Sequence, residues 1–195
     1  MVRRAVLGAL TATILSVAVP AVADDPNWLV GQWEGPVKSD IGKHKDWVRG
    51  KGCKTIEVGL NGQFLISKGH AEGIQLSEDY LKYLKETKHA SQQEIDNIQN
   101  TVFEDLEVFT TDPKTGEIIG YLFDSLHCVA QGRGKRQGNK ETIAWQWSAA
   151  GQGTSIRITE KTGTDTMVIT ETYTMPDGSI MIDKAQMTRT NTSAH

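Results

Sequence analysis

Five turn signals punctuate the chain: LNG at 60–62, DPKTGE at 112–117, QGNK at 137–140, TGTD at 162–165 and MPDG at 175–178. Glycine, asparagine, aspartate and proline in these orders adopt or impose the tight backbone of a hairpin loop. The runs between the turns are short and rich in β-branched and aromatic residues, the pattern of antiparallel strands. Ten strands are expected, at 31–38, 47–58, 62–71, 102–111, 117–126, 127–136, 140–148, 154–161, 166–174 and 179–190. An open sheet of that size would leave two unpaired edges, and closure removes them. The expected fold is therefore all-β, an up-and-down antiparallel closed barrel of about ten strands.

One stretch, LSEDYLKYLKETKHASQQEIDNIQN, changes period. Ser77 followed by Glu78 and Asp79 is a helix start, and Tyr80, Leu81 and Leu84 then share one face. Ser91 and Glu94 form a capping box ahead of Ile95 and Ile98. A two-helix insertion over 76–100 is expected between strands three and four. Its amphipathic faces suit two placements: across one mouth of the barrel, gating a cavity, or packed outside or over an end without moving.

At the N-terminus, Arg3 and Arg4 precede an uncharged run from Ala5 to Val19, then Pro20 and Ala21-Val22-Ala23. This is the pattern of a secretory signal peptide over 1–23, cleaved after Ala23. The apolar run is shorter than the ~20 residues of a spanning helix, and Asp24 rather than cysteine follows it, so no membrane anchor is expected. An exported protein, periplasmic or secreted, is expected, with residues 24–195 forming one domain. Taking the leader's two arginines from the 21 basic residues leaves 19 against 24 acidic ones, a net charge of −5. That balance disfavours nucleic acid as a partner.

Two cysteines occur, Cys53 and Cys128. In an oxidising compartment a disulfide is their first reading, and two separate buried thiols are the alternative.

The C-terminal turns set registers. MPDG as a three-residue loop with Gly178 in a bulge pairs Tyr173 with Met181, Glu171 with Asp183 and Ile169 with Ala185. A turn centred on Gly163 and Thr164 would pair Ile158 with Ile169 and Ile156 with Glu171, placing both isoleucines on the same, predominantly apolar, inner face. Ile143, Trp145 and Trp147 alternate with Thr142, Ala144, Gln146 and Ser148 and should also face inward. Glu171 and Asp183 would then be like charges directly opposed among apolar neighbours, which raises a carboxyl pKa unless a cation intervenes. Such a pair suits a polar ligand contact or proton-shuttling chemistry.

His44, His70, His89, His127 and His195 lack close metal-ligand spacing, so no metal site is expected. Neither cysteine lies in a C-x-x-C pair, and no G-x-S-x-G elbow occurs. QGRGKRQGNK precedes no helix that would receive a phosphate, and reads as a basic turn.

LVGQWEG at 29–35, IIGYLFDS at 118–125 and YTMPDGSIMIDKAQMTRT at 173–190 resemble an uncharacterised bacterial family of calycin, or lipocalin-like, β-barrels, a domain of unknown function. That family shows a leading G-x-W-x-G, a central W-x-D-S strand and a closing M-P-D-G hairpin ending in T-R. The chain departs from it at Leu122, where tryptophan is common, at Lys184, near a common acid, and in the helical segment 76–100. The resemblance implies that the early tryptophan packs at the closed end against a basic side chain of the last strand, here Trp33 against Arg189. The hairpin register independently puts Arg189 on the inner face.

The best-supported function is binding of a small hydrophobic or amphipathic molecule inside the barrel. Trp145, Trp147 and Tyr173 would form the wall, with Asp124, Glu171 and Asp183 supplying polarity. No cofactor is expected. Three alternatives stand beside it: an enzyme using the cavity carboxylates, a haem-binding barrel like the nitrobindins, for which the closing strands offer no axial histidine, and a filled barrel serving as a protein-interaction surface.

Overall fold

The computed structural model describes residues 26–149 and 152–190; the expected leader over 1–23 and the terminal His195 lie outside the described residues. Ten strands run in chain order: β1 (Gly31–Ile41), β2 (His44–Gly59), β3 (Phe64–Leu76), β4 (Phe103–Thr111), β5 (Ile118–Asp124), β6 (Cys128–Gln137), β7 (Lys140–Ala149), β8 (Gly153–Lys161), β9 (Thr166–Thr174) and β10 (Ile180–Thr190). Two helices, α1 (Glu78–Glu86) and α2 (Gln92–Gln99), separate β3 from β4. Each strand pairs antiparallel with its chain neighbours, and β1 pairs with β10 to close the barrel.

One end of the barrel is packed. Leu29, Trp33, Ile56, Leu65, Met167 and Met187 form its core, burial that removes apolar surface from water at about 25 cal/mol per Å². The Trp33 indole NH donates to the Leu29 carbonyl at 2.8 Å. Arg189, opposite Trp33 in the β1–β10 register, lies with its Cζ 4.2 Å from the Trp33 ring centroid. Its guanidinium donates to the Val30 carbonyl and, at 2.9 Å, to the Trp28 carbonyl. Gly31, at φ +139°, leaves the room that the guanidinium fills, since a Cβ there would collide with Arg189 Nη1.

The closing hairpin has the register that its turn requires. Met175 and Ser179 bracket the loop with a 2.9 Å bond, Gly178 takes φ +81°, and Glu171 faces Asp183 across β9 and β10. The β8–β9 hairpin corrects the expectation by one residue: Ile158 pairs with Thr170, and Arg157, not Ile156, pairs with Glu171. The loop is one residue longer than a two-residue turn. The Thr162 and Gly163 NH groups both donate to the Thr166 carbonyl, at 3.0 and 3.3 Å, and the Thr162 and Thr166 hydroxyls bond at 3.0 Å. A one-residue slip exchanges the two faces of a strand. Ile156 is therefore 53% exposed, while Ser155, Arg157 and Thr159 point inward.

The Ser77 hydroxyl caps α1 by accepting the Tyr80 NH, and Ser91 with Glu94 forms the box at α2. Leu84 and Ile95 bury their faces with Leu76 against Val48 and Ile74. Trp47 extends the contact by stacking on Tyr80 at 4.6 Å and on His44 at 3.9 Å. The helix pair thus buttresses the ends of β2 and β3. Among the described residues, none from 77 to 102 lines the cavity described below, but Val48 and Ile74, on which the helices pack, do.

No disulfide joins Cys53 to Cys128, correcting that first reading. The residues sit on β2 and β6, four strands apart around the barrel. Cys53 alternates out of the inner face set by Gly52 and Lys54, whereas Cys128 alternates into it, two residues from the fully buried Ala130.

Candidate ligand cavity

The half of the barrel opposite the Trp33 plug is hollow, with a cavity of about 490 Å³. That lies within the roughly 300–1,000 Å³ of small-molecule sites. The space follows from which residues face inward on β2 and β3. Gly50, Gly52, Gly69 and Ala71 present almost no side chain there, and all four line the cavity. The other walls are largely apolar, with Val37, Leu126, Trp147, Ile169, Met181 and Met187 among the lining residues.

The floor is charged. Arg157 donates through Nε to Glu171 Oε2 at 2.6 Å and through Nη1 to Glu107. Lys54 Nζ lies 2.9 Å from Glu107 Oε2 and 3.8 Å from Asp105 Oδ1. Ser155 Oγ donates to the other Glu171 oxygen at 2.6 Å and accepts the Trp147 indole NH at 2.8 Å. Strands β2, β4, β8 and β9 are thereby joined through side chains across the interior. Lys54 and Arg157 border the cavity on one side and a small void of about 30 Å³ on the other, so the ion network divides the hollow half from the plugged one.

Burial alone would raise the Glu107 carboxyl, but Arg157 and Lys54 overcome it and hold that group at about 2. Burial works against the Lys54 charge as well, and Asp105 and Glu107 outweigh it, so its pKa is raised. Asp105 is raised by burial against the pull of Lys54. Glu107 is therefore ionised between Lys54 and Arg157, and Arg157 also meets Glu171.

Asp183 differs in having no cation beside it. Its Oδ1, like that of Asp105, is buried with no hydrogen-bond partner, but Asp105 has Lys54 at 3.8 Å, whereas among the described residues no ion pair reaches Asp183. Burial pushes its carboxyl up to about 6, with the facing Glu171 adding to the rise against the Ser39 hydroxyl and the more distant Arg157. Tyr173, one inward position away on β9, lies with its ring 5.8 Å from that of Trp147 at a 45° tilt. Its phenol is held well above its usual pKa by burial and by the charges of Glu171 and Asp183.

Of the residues singled out from sequence, Trp147, Tyr173, Glu171, Asp183 and Asp124 line the cavity together. Asp124 uses its carboxylate to close the β5–β6 turn, accepting the Leu126 and Cys128 NH groups, both at 2.9 Å. Trp145 is a correction. It lies beneath the ion network in a second core with Ile118, Leu122, Ala130 and Ile143, its ring 5.9 Å from Phe109 and 5.2 Å from the Arg157 guanidinium. Sequence reasoning missed Lys54, Asp105, Glu107 and Arg157. On β4 the stretch FEDLEVF carries acids on both faces, and Asp105 and Glu107 face in while Leu106 is 38% exposed. The available signal was GKG at 50–52 with Gly69 and Ala71, small residues at alternating positions that mark a hollow wall.

No family model matches the chain, and no curated protein matches it. Among solved structures, the chain is similar to an S-type phycobiliprotein lyase, CPES, from Guillardia theta, at 11% identity and a TM-score of 0.54, covering 86% of this chain and 91% of that one. At that identity the likeness is one of fold, and it shows a lipocalin-like closed barrel.

Proposed function

We propose that this barrel binds a small, partly apolar molecule in its cavity, and that it does so after export, as a member of the calycin-like family its motifs resemble. The observation that carries the reading is the hollow of about 490 Å³ with apolar walls, in a barrel whose opposite end is tightly packed. A barrel filled by its own side chains would leave no such space. The charged floor supports binding over acid–base catalysis, because Glu107 and Glu171 are committed to Arg157 and Asp105 stands beside Lys54, which leaves Asp183 as the floor carboxyl without a cationic partner among the described residues. The likeness to a phycobiliprotein lyase supports a binding barrel without specifying an occupant. The leader pattern over 1–23 supports export.

The test is titration with Nile red, a neutral apolar dye, together with native mass spectrometry of the purified protein. One saturable site, closed by Ala185→Trp at a cavity-lining position, is the expected result. Non-saturable dye binding that Ala185→Trp leaves untouched, with no retained small molecule, overturns the reading.

A further inference from the structure

We propose that the occupant is a cationic amphiphile, a protonated amine or quaternary ammonium on an apolar body, whose charged nitrogen lodges against Asp183 beside the Trp147 and Tyr173 rings. The inference rests on the binding reading above and specifies its ligand class.

The interior charge is unbalanced in one direction. Around the cavity floor four carboxylates, Asp105, Glu107, Glu171 and Asp183, stand beside two cations, Lys54 and Arg157; of the other inward acids, Asp124 is held by the NH groups of its own turn and Glu141 pairs with Arg136. Both cations are committed: Arg157 bridges Glu107 and Glu171, and Lys54 sits between Glu107 and Asp105. The basic side chains nearer the mouth are also committed. Lys38 and Arg49 pair with Asp46 at 3.2 and 3.1 Å, and Lys184 pairs with Asp40 at 3.1 Å. An anionic ligand would therefore have to break an existing pair. A cation meets an acceptor, Asp183 Oδ1, that is buried and without a hydrogen bond, an arrangement that is costly until something satisfies it.

The surroundings of Asp183 suit a cation for a second reason. Trp147 on β7 and Tyr173 on β9 are paired at 5.8 Å across β8, and the Trp147 ring is fixed in place by its bond to Ser155. Aromatic faces attract ammonium groups through the ring quadrupole, most strongly where water is excluded. The thioethers of Met175, Met181 and Met187 also line the cavity and adapt to an irregular aliphatic body. Asp183, opposite Glu171 and diagonal to Tyr173, thus joins a carboxylate, two aromatic rings and apolar walls at one place.

Three probes with one tail separate charge from apolar fit: decyltrimethylammonium, decanol and decanoate, titrated calorimetrically at pH 7.5 below their micellar concentrations. The cation should bind at least about tenfold more tightly than either of the others, and Asp183→Asn should collapse that ratio. Near pH 6, binding of the cation should also release protons, read as a dependence of the heat on buffer ionisation, because the charge draws Asp183 into its ionised form. Equal or tighter binding of decanol or decanoate overturns the cationic assignment and leaves the barrel a binder. So does failure of all three probes while Nile red binds. Failure of the probes and of Nile red together overturns the binding reading itself. If Asp183→Asn does not fold, the wild-type ratio and the proton release still decide.

Discussion

Arg157 on β8 stands opposite Glu171 on β9, its Nε 2.6 Å from Oε2, while its Nη1 reaches Glu107 on β4. One guanidinium therefore ties adjacent strands to one on another side of the barrel and forms the floor on which a ligand would rest. The fork geometry of arginine makes this possible, since two carboxylates are met by separate nitrogens of one planar group.

Removing that guanidinium should be severe. Arg157→Met would leave Glu107 and Glu171 buried with only Lys54 and Ser155 to compensate, and breaking a buried pair from one side costs about 3–5 kcal/mol. Urea unfolding of the purified variant should show a loss of that order. Adding Glu107→Gln and Glu171→Gln should recover much of it, because the penalty arises from the stranded charges. A loss below about 1 kcal/mol in the single variant would show that the network is hydrated and weakly coupled.

The strand pattern and the closing register were legible because turns and alternation are local. MPDG dictates its own loop length, and everything from Tyr173 to Ala185 follows from it. The floor was not legible because it depends on one residue in another loop. With Thr162 and Thr166 bonded to each other across the TGTD turn, β8 shifts by one, and Arg157 replaces Ile156 on the inside. β4 added a second difficulty: its inward acids become affordable only once Lys54 and Arg157 arrive from β2 and β8. Those partners are far apart in sequence, so composition and period along β4 alone could not assign its faces. Trp145 and Trp147 were indistinguishable by alternation, since both face in; what separates them is depth along the barrel axis, which alternation does not encode.

Asp183 should make stability fall as pH rises. Its folded pKa, about 6, lies above the 3.8 of an ordinary aspartate, so the folded state holds its proton over a range in which the unfolded state has released it. The Asp183 contribution to stability is then greatest below about pH 4, declines through pH 6, and levels off above it, while the lowered pKa of Glu107 acts in the opposite sense at acid pH. The groups that set this pKa are Glu171 on β9, Arg157 on β8, and Ser39 and Asp40 on β1. The full shift corresponds to roughly 3 kcal/mol at about 1.4 kcal/mol per unit, and water reaching the cavity wall reduces the expected effect to about 1–2 kcal/mol. Asp183→Asn should accordingly be more stable than the wild type at pH 8 and no more stable at pH 4, read as the difference in urea midpoints. A gain of equal size at both pH values would mean that the carboxyl does not titrate as described.

At the closed end, Arg189→Ala removes the stack on Trp33 and two hydrogen bonds to the Val30 and Trp28 carbonyls. A loss of about 2–4 kcal/mol is expected from these together, and thermal unfolding measures it. Arg189→Lys should recover only part, because an ammonium cannot stack on the ring and bond two carbonyls in one plane. Unchanged melting in Arg189→Ala would remove the plug from the account of the fold.

Two small inward residues should separate packing from binding. A Cβ at Gly132 would lie 2.6 Å from Trp145 Cε3 and 2.8 Å from Ile143 Cγ2, so Gly132→Ala overpacks the second core and should cost about 1–3 kcal/mol. Trp145 must move, and the emission of the folded protein should shift, while Nile red still binds because Trp145 lies beneath the ion network. Ala71 lies in the cavity wall on β3. Ala71→Phe projects into the hollow, so it should leave melting within about 1 kcal/mol of wild type and abolish dye binding. The opposite result, with binding lost in Gly132→Ala and retained in Ala71→Phe, would place the ligand on the other side of the charged floor.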